Sequence, residues 1–454
     1  MQFEKNTDSQ ARKRLAALFD DGIYTEINSI VKEKDSKAGV VSAYGYVNSV
    51  AVYAFSQEID VNGGAVGAAQ AKKIAKLYEL AATTGIPVVG IHDSNGAFVD
   101  GSADSLAAYG MMLNAASAVS GVVPQISVIA GTCAGSAAMV ACSSDFVIMS
   151  KDAELFVTPP CDAEKTGAGT AQRAAEAGIA AEVCDDDMAA IEKARTLISL
   201  LPCNNLSYIP CFEYSESSAV PGDSLESIIA AITDADSAEE LYSECGKAAY
   251  TGFATISGST VGIAATNKTS DKLTGADCAK LSRFVRTCDA FSVPVITIVD
   301  TEGFESDGEG KTTESIKAMA ALANSYAEAT TVKIALVSGK AVGPAFIALA
   351  GNNVNSDFTY AWENAVIAPL APETAVEFLW HDKLKGADDL AAKRKELADE
   401  YARTAASAEA AAEKGYIDEI IDKTQTRNVI TSALDVMSGK RVQKLPKKHN
   451  NIPF

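Results

Sequence analysis

An α/β fold made of two copies of one domain is predicted by three observations. The first is an apolar strand that breaks at glycines and restarts as a small-residue helix, Pro124-Gln-Ile-Ser-Val-Ile-Ala-Gly-Thr-Cys-Ala-Gly-Ser-Ala-Ala-Met139. The second is recurrence. Gly45-Tyr-Val returns as Gly252-Phe-Ala, and Pro87-Val-Val-Gly-Ile-His-Asp-Ser-Asn-Gly96 as Pro294-Val-Ile-Thr-Ile-Val-Asp-Thr-Glu-Gly303, each 207 residues later. Gly131-Thr-Cys-Ala-Gly-Ser-Ala137 returns as Gly339-Lys-Ala-Val-Gly-Pro-Ala345, 208 residues later. The third is that β-like apolar runs alternate with helical patterns in the same order in both halves. Anchors that keep one spacing to within a residue indicate a duplicated domain of roughly 220 residues per half.

In chain order, residues 8–35 read as an amphipathic helix, with Leu15, Leu18 and Phe19 on one face. Gly39 to Gln57 alternates like a hairpin around an Asn48-Ser49 turn. The loop Asn62-Gly63-Gly64-Ala65-Val66-Gly67 leads into a helix from Ala68 to Thr83 that bears Lys72, Lys73 and Lys76. Lys72 and Lys76 are four apart and share a face. These lysines read either as a solvated surface or as a docking patch for a phosphate-bearing ligand. The strand Ile86–Asp93 ends in Ser94-Asn-Gly-Ala97, a polar strand end of the kind that lines α/β clefts. A helix from Ser102 to Ala118, the glycine turn and a strand at Asp145–Met149 come next, and residues 162–200 read as helical. Pro202 to Ser224 has linker composition, which sets the domains at 1–224 and 225–454. The second half repeats the order: helix 236–247, hairpin 250–266, helix 275–290, strand 293–300, loop 302–312, helix 313–328, strand 332–338 and helix 343–350. The tail beyond Trp362 reads as helical and charged, and it closes on a basic run from Lys440 to His449.

Composition narrows the function. The chain has 454 residues, 48% of them hydrophobic, enough to bury two cores. A net charge of −20 argues against nucleic acid or an anionic membrane as the main partner. No apolar run is long enough to span a bilayer, and the N-terminus lacks a signal-peptide core. Nine scattered cysteines without a Cys-x-x-Cys pair read as reduced thiols of a cytoplasmic protein, with no metal site. There are three histidines, 92, 381 and 449, and no Gly-x-Ser-x-Gly elbow. His92 lies inside an apolar strand and reads as structural. No phosphate-cradling Gly-Lys-Ser/Thr loop is present, and Gly63-Gly64-x-x-Gly67 lacks a clear preceding strand, so it makes no dinucleotide site. What remains is a pair of strand–glycine–helix turns whose unpaired backbone N–H groups suit a carbonyl oxygen that gains negative charge.

With these residues in hand, the chain resembles the β-type carboxyltransferase subunit of biotin-dependent acyl-CoA carboxylases, the acetyl-/propionyl-CoA carboxylase family. The matching stretches include Gly63–Gly67, Gly85–Ser94, Asp104–Gly110, Gly121–Gly135, Leu201–Leu206, Arg283–Pro294, Asp300–Phe304, Tyr360–Trp362, Ala412–Asp418 and Lys447–Phe454. The resemblance implies two tandem crotonase-like ββα-spiral domains and a hexamer with active sites at dimer interfaces. It implies biotin on a separate carrier protein, biotin carboxyl carrier protein and biotin carboxylase as partners, and a coenzyme A thioester as substrate. It places one oxyanion hole at the N–H groups of Gly135 and Ser136, and the other at Pro344 and Ala345. Ile347 falls where the family lines the acyl pocket. Gly63, Gly64, Lys72, Lys73 and Ser94 complete the candidate binding residues. Two further readings stay open: the same subunit in a biotin-dependent decarboxylase, and a non-catalytic structural subunit.

The chain departs from the family pattern in four places. Gly343-Pro344-Ala345 replaces Gly-Gly-Ala, and proline has no N–H to donate. Segment 160–185 is short, Ala181 stands where the family carries a histidine, and Asp300-Thr-Glu-Gly303 replaces Asp-x-Pro-Gly.

Overall fold

The computed structural model describes residues 9–34, 36–159, 166–305, 312–352, 356–385 and 387–451. The chain divides into two compact units, Met1–Pro210 and Cys211–Phe454. Residues 211–224, read from the sequence as the end of a linker in the first domain, belong to the second unit. There Phe212 N–H donates to Gly258 O at 2.9 Å, and Cys211 bridges Ser259.

Beside a two-stranded ribbon of Lys32–Glu33 and Ser36–Lys37, the first unit is built on one large sheet with helices against it. Its strands are β1 (Tyr24–Ile27), β2 (Val40–Val47), β3 (Val50–Gln57), β4 (Val88–Ser94), β5 (Gln125–Ala134), β6 (Phe146–Ser150), β7 (Glu154–Phe156) and β8 (Glu182–Cys184). They are ordered β1-β2-β3-β4-β5-β6-β8, with β7 added beside the end of β5. β2 and β3 form the expected hairpin, and Asn48 and Ser49 both adopt positive φ (47° and 68°) at its turn. The strands from β3 onward pair in parallel. Every residue of β4 is buried, as a parallel strand covered on both faces requires. The core packs the sheet against α2 (Ala68–Thr84) and α3 (Ala103–Ala118), with Phe55, Ile74, Leu77 and Met112 at its centre.

The second unit repeats this layout strand for strand. β9 (Glu239–Leu241), β10 (Tyr250–Ile256), β11 (Ser259–Ala265), β12 (Val295–Thr301), β13 (Lys333–Val342), β14 (Phe358–Trp362) and β16 (Glu419–Ile421) lie in that order across its sheet, and β15 (Val366–Ala368) pairs with β13. The duplication read from glycine spacing is therefore a duplication of topology, and both halves have the crotonase-like fold.

Three sequence expectations change. Only Gln10–Leu18 of residues 8–35 is helical (α1). Phe19, with an extended backbone (φ −89°, ψ 146°), ends it; a single 3-10 turn at Asp20–Gly22 follows, with Asp21 and Gly22 at positive φ, and β1 then pairs with β2. Residues 166–200 hold two helices, Ala171–Glu176 and Asp187–Leu200, separated by β8, while 160–165 lie outside the described residues. In the second unit the helix precedes its expected place, at Leu225–Ile232. It is capped by Ser224, and 239–241 is the edge strand.

α1 is tied to the sheet by charge. The buried Arg14 guanidinium donates to Asp93 Oδ2 and to Asp187 Oδ2, both at 2.8 Å, and to Ala130 O at 3.2 Å. Removing the guanidinium leaves the buried Asp93 carboxylate without compensation. Arg14→Met is expected to lower the unfolding free energy by about 3–5 kcal/mol, read from urea midpoints. A loss below about 1 kcal/mol would mean that the ion pair is dispensable.

Candidate active site

At the end of β5 the chain turns at Gly135, with φ 65° and ψ −136°, and enters α4 (Ser136–Ala141). A positive φ with this ψ is cheap only for glycine. β7 pairs with the end of β5 in the register Thr132↔Glu154 to Ala134↔Phe156. That ladder runs one residue further, because Gly135 N–H donates to Phe156 O at 2.8 Å. The Gly135 donor is thus already used, which corrects its expected role in an oxyanion hole. Among the described residues, the N–H groups of Ser136 and Ala137 have no partner, and the next one, Ala138 N–H, returns to Gly135 O at 3.1 Å. The two adjacent free donors are therefore Ser136 and Ala137. α4 is only six residues long, so these local donors outweigh any field of the whole helix.

A second loop meets the same strand end. Gly96 has φ 105°, and a Cβ there would lie 3.3 Å from Ala134 O. Val66 N–H donates to Gly96 O at 2.8 Å and Phe98 N–H to Val66 O at 3.0 Å. Ala97 N–H lies between them with no partner among the described residues. Ala137 and Ala97 were missed in the sequence because a free amide shows only when strand pairing is known.

The second unit repeats the turn almost angle for angle. Gly343 has φ 61° and ψ −138°, and its N–H donates to Ala368 O at 2.7 Å. The short helix Pro344–Leu349 comes directly after it. Pro344 occupies the place of Ser136 and offers no donor, so Ala345 N–H is the one free donor of this turn among the described residues. Proline is sterically welcome at this first helical position.

The remaining candidates scatter by role. Gly63 and Gly64 brace the end of β4. Both have positive φ, Gly63 O accepts from Asn95 N–H at 2.9 Å, and a Cβ on Gly64 would lie 2.3 Å from Asp93 O. Ser94 is buried, and its hydroxyl accepts from Gly96 N–H at 3.2 Å, which holds the loop rather than facing solvent. Lys72 is exposed on α2. Lys73 is not part of a surface patch: it is 4% exposed, it donates to Val40 O, and desolvation lowers its pKa to about 8. Its counterpart Lys280, 207 residues on, donates to Ala249 O at 2.7 Å, with a pKa also lowered by burial to about 8. His92 is structural. Its Nε2 lies 3.2 Å from Ser127 Oγ, its ring packs on Phe55, and desolvation pulls its pKa down to about 4. Ile347 and its counterpart Met139 are each 53% exposed. A helical side chain leans toward the turn before it, so each stands over the first turn of its short helix.

Known proteins are similar to this chain in sequence and fold. A family model described as the carboxyl transferase domain matches residues 4–452. The methylmalonyl-CoA decarboxylase subunit alpha of Propionigenium modestum is 36% identical over 98% of this chain and 93% of its own length. The propionyl-CoA carboxylase beta chain of Roseobacter denitrificans is 33% identical over the same shares. The transcarboxylase 12S crystal structure, a hexamer assembly with hydrolysed methylmalonyl-coenzyme A bound, matches with a TM-score of 0.90 at 32% identity, covering 98% of this chain and 92% of that one. The chain belongs to the carboxyl transferase domain family.

Proposed function

We propose that this chain transfers a carboxyl group between carboxybiotin, borne by a separate biotin carboxyl carrier protein, and a short acyl-CoA such as acetyl- or propionyl-CoA. The observation that carries the reading is the pair of adjacent N–H groups at Ser136 and Ala137 that are unpaired among the described residues. They sit behind a glycine whose own donor is committed to the sheet. Two converging amides hold a thioester oxygen more tightly as it becomes an enolate oxygen, which is the condition for lowering the barrier. Carboxybiotin, when bound, supplies CO2 and a ureido nitrogen able to take the α-proton. Ala345 N–H suits its ureido oxygen, with Pro344 contributing shape but no hydrogen bond. Ile347 forms an apolar wall for the acyl group, and exposed Lys72 is available to a coenzyme A phosphate.

The expected assembly is a homohexamer that works with biotin carboxylase in the cytoplasm. Among the described residues no helix is long and apolar enough to cross a membrane. A second reading runs the reaction toward decarboxylation. It is favoured by the 36% identity to a decarboxylase subunit, and a neighbouring gene for a multi-span membrane subunit would select it. A structural subunit without turnover is the reading that Pro344 motivates. The direct test is decarboxylation of malonyl- or methylmalonyl-CoA by the purified chain with free biotin. Absence of both turnover and CoA-thioester binding would favour the structural role.

Two substitutions probe the donors. Ser136→Pro copies into the first unit what Pro344 already does in the second, so folding should persist, as far-UV circular dichroism would show. kcat should fall by about 100-fold or more, the usual cost of one oxyanion donor. A kcat within twofold of the parent would remove Ser136 from the hole. Pro344→Gly restores the missing amide and is expected to raise kcat several-fold; an unchanged kcat would refute a donor role at that position.

A further inference from the structure

The two turns share a support that lies one strand away. Between β4 and β5 the register runs His92↔Ile129 and then Ser94↔Cys133, so two steps on β4 oppose four on β5. Between β12 and β13 it runs Val299↔Val337 and then Thr301↔Ala341, the same irregularity at the same place. The residue at the centre of each is an aspartate, Asp93 or Asp300. Opposite each stands a glycine that could not be anything larger, since a Cβ on Gly131 or Gly339 would lie 2.3 Å from the carboxylate. In the second unit Asp300 Oδ1 accepts from Lys340 N–H at 2.8 Å, and Oδ2 accepts from Asn267 Nδ2 at 2.7 Å. In the first unit Arg14 does the corresponding work, binding Asp93 Oδ2 and Ala130 O together. Each carboxylate thus fills a bulge that ends two residues before the turn glycine, Cys133 before Gly135 and Ala341 before Gly343. Bulges redirect a strand and re-aim the residues beyond them.

Building on the carboxyltransferase reading, we infer that Asp93 and Asp300 are positioning residues. Each carboxylate fixes the β-bulge that aims the amide donors, Ser136 and Ala137 in the first unit and Ala345 in the second. Neither touches the ligand oxygen. The same device is met by a guanidinium in one copy and by an amide with a backbone N–H in the other. What the two copies share is therefore the carboxylate, the facing glycine and the bulge.

Asp300 is the cleaner position to test, because neutralising Asp93 would strand buried Arg14. In Asp300→Asn the side-chain oxygen still accepts from Lys340 N–H, and Asn267 turns its amide over to meet the new NH2. In Asp300→Ala the bulge loses its filler. In the malonyl-CoA assay with free biotin, Asp300→Ala should lower kcat about tenfold or more with KM for the thioester within twofold. Asp300→Asn should recover at least half of kcat. Hydrogen exchange, which needs no turnover, should speed up over residues 339–345 in Asp300→Ala and stay slow over 333–337. A silent parent enzyme would count against the carboxyltransferase reading, and the exchange result alone would then judge the positioning role. Unchanged exchange at 339–345, or equal kcat for Asp300→Ala and the parent, would overturn it, as would equal losses in Asp300→Ala and Asp300→Asn.

Discussion

One backbone hydrogen bond, repeated in each unit, pins the turn that carries the free donors. Gly135 N–H to Phe156 O, matched by Gly343 N–H to Ala368 O, carries the sheet ladder one residue past the end of the long strand. It consumes the glycine's donor and pins the turn at a φ that only glycine takes without strain. In the first unit the next two amides, and in the second unit Ala345 N–H, belong to the first turn of a helix, where no carbonyl lies upstream to receive them. The site is thus made by what the sheet and the short helix leave unpaired. Backbone amides placed this way need no ionisation and no rotamer change to meet a developing charge.

Duplication then gives a built-in comparison. The two turns differ by 4° in φ (65° against 61°) and 2° in ψ (−136° against −138°), so their backbones take one path. The difference lies at one residue, Ser136 against Pro344. Serine keeps the amide and proline deletes it, while both suit the first helical position. Two donors suit an oxygen that must become an enolate. One donor suits a carbonyl that only needs to be held. On the proposed function, the asymmetry would place the more demanding charge in the first unit.

Much of this was legible in the residues. The 207-residue spacing carried the duplication, the hairpin turns and the strand–glycine–helix motif. The particular donors were not legible, because they depend on Glu154–Phe156 pairing with Thr132–Ala134 across about 20 residues of intervening chain, a non-local contact. Lys73 was misplaced for a related reason: from its neighbours alone it looks like one lysine of a solvated row. The signal was present in the recurrence, since Lys73 returns as Lys280 while Lys72 and Lys76 return as Ala279 and Arg283. A lysine kept at one depth in both copies reports a buried role. The helix expected over 8–35 failed at Phe19, whose extended backbone ends it after Leu18, and β1 is too short to announce itself by alternation.

The central claim is that adjacent main-chain amides of the first unit grip the reacting oxygen. A crystal structure of the chain with an intact acyl-CoA bound would test it most directly. The account predicts the thioester oxygen about 2.7–3.1 Å from the nitrogens of both Ser136 and Ala137, with Gly135 N–H still bonded to Phe156 O. A thioester oxygen held instead by side chains, or by a Gly135 amide released from the sheet, would contradict it.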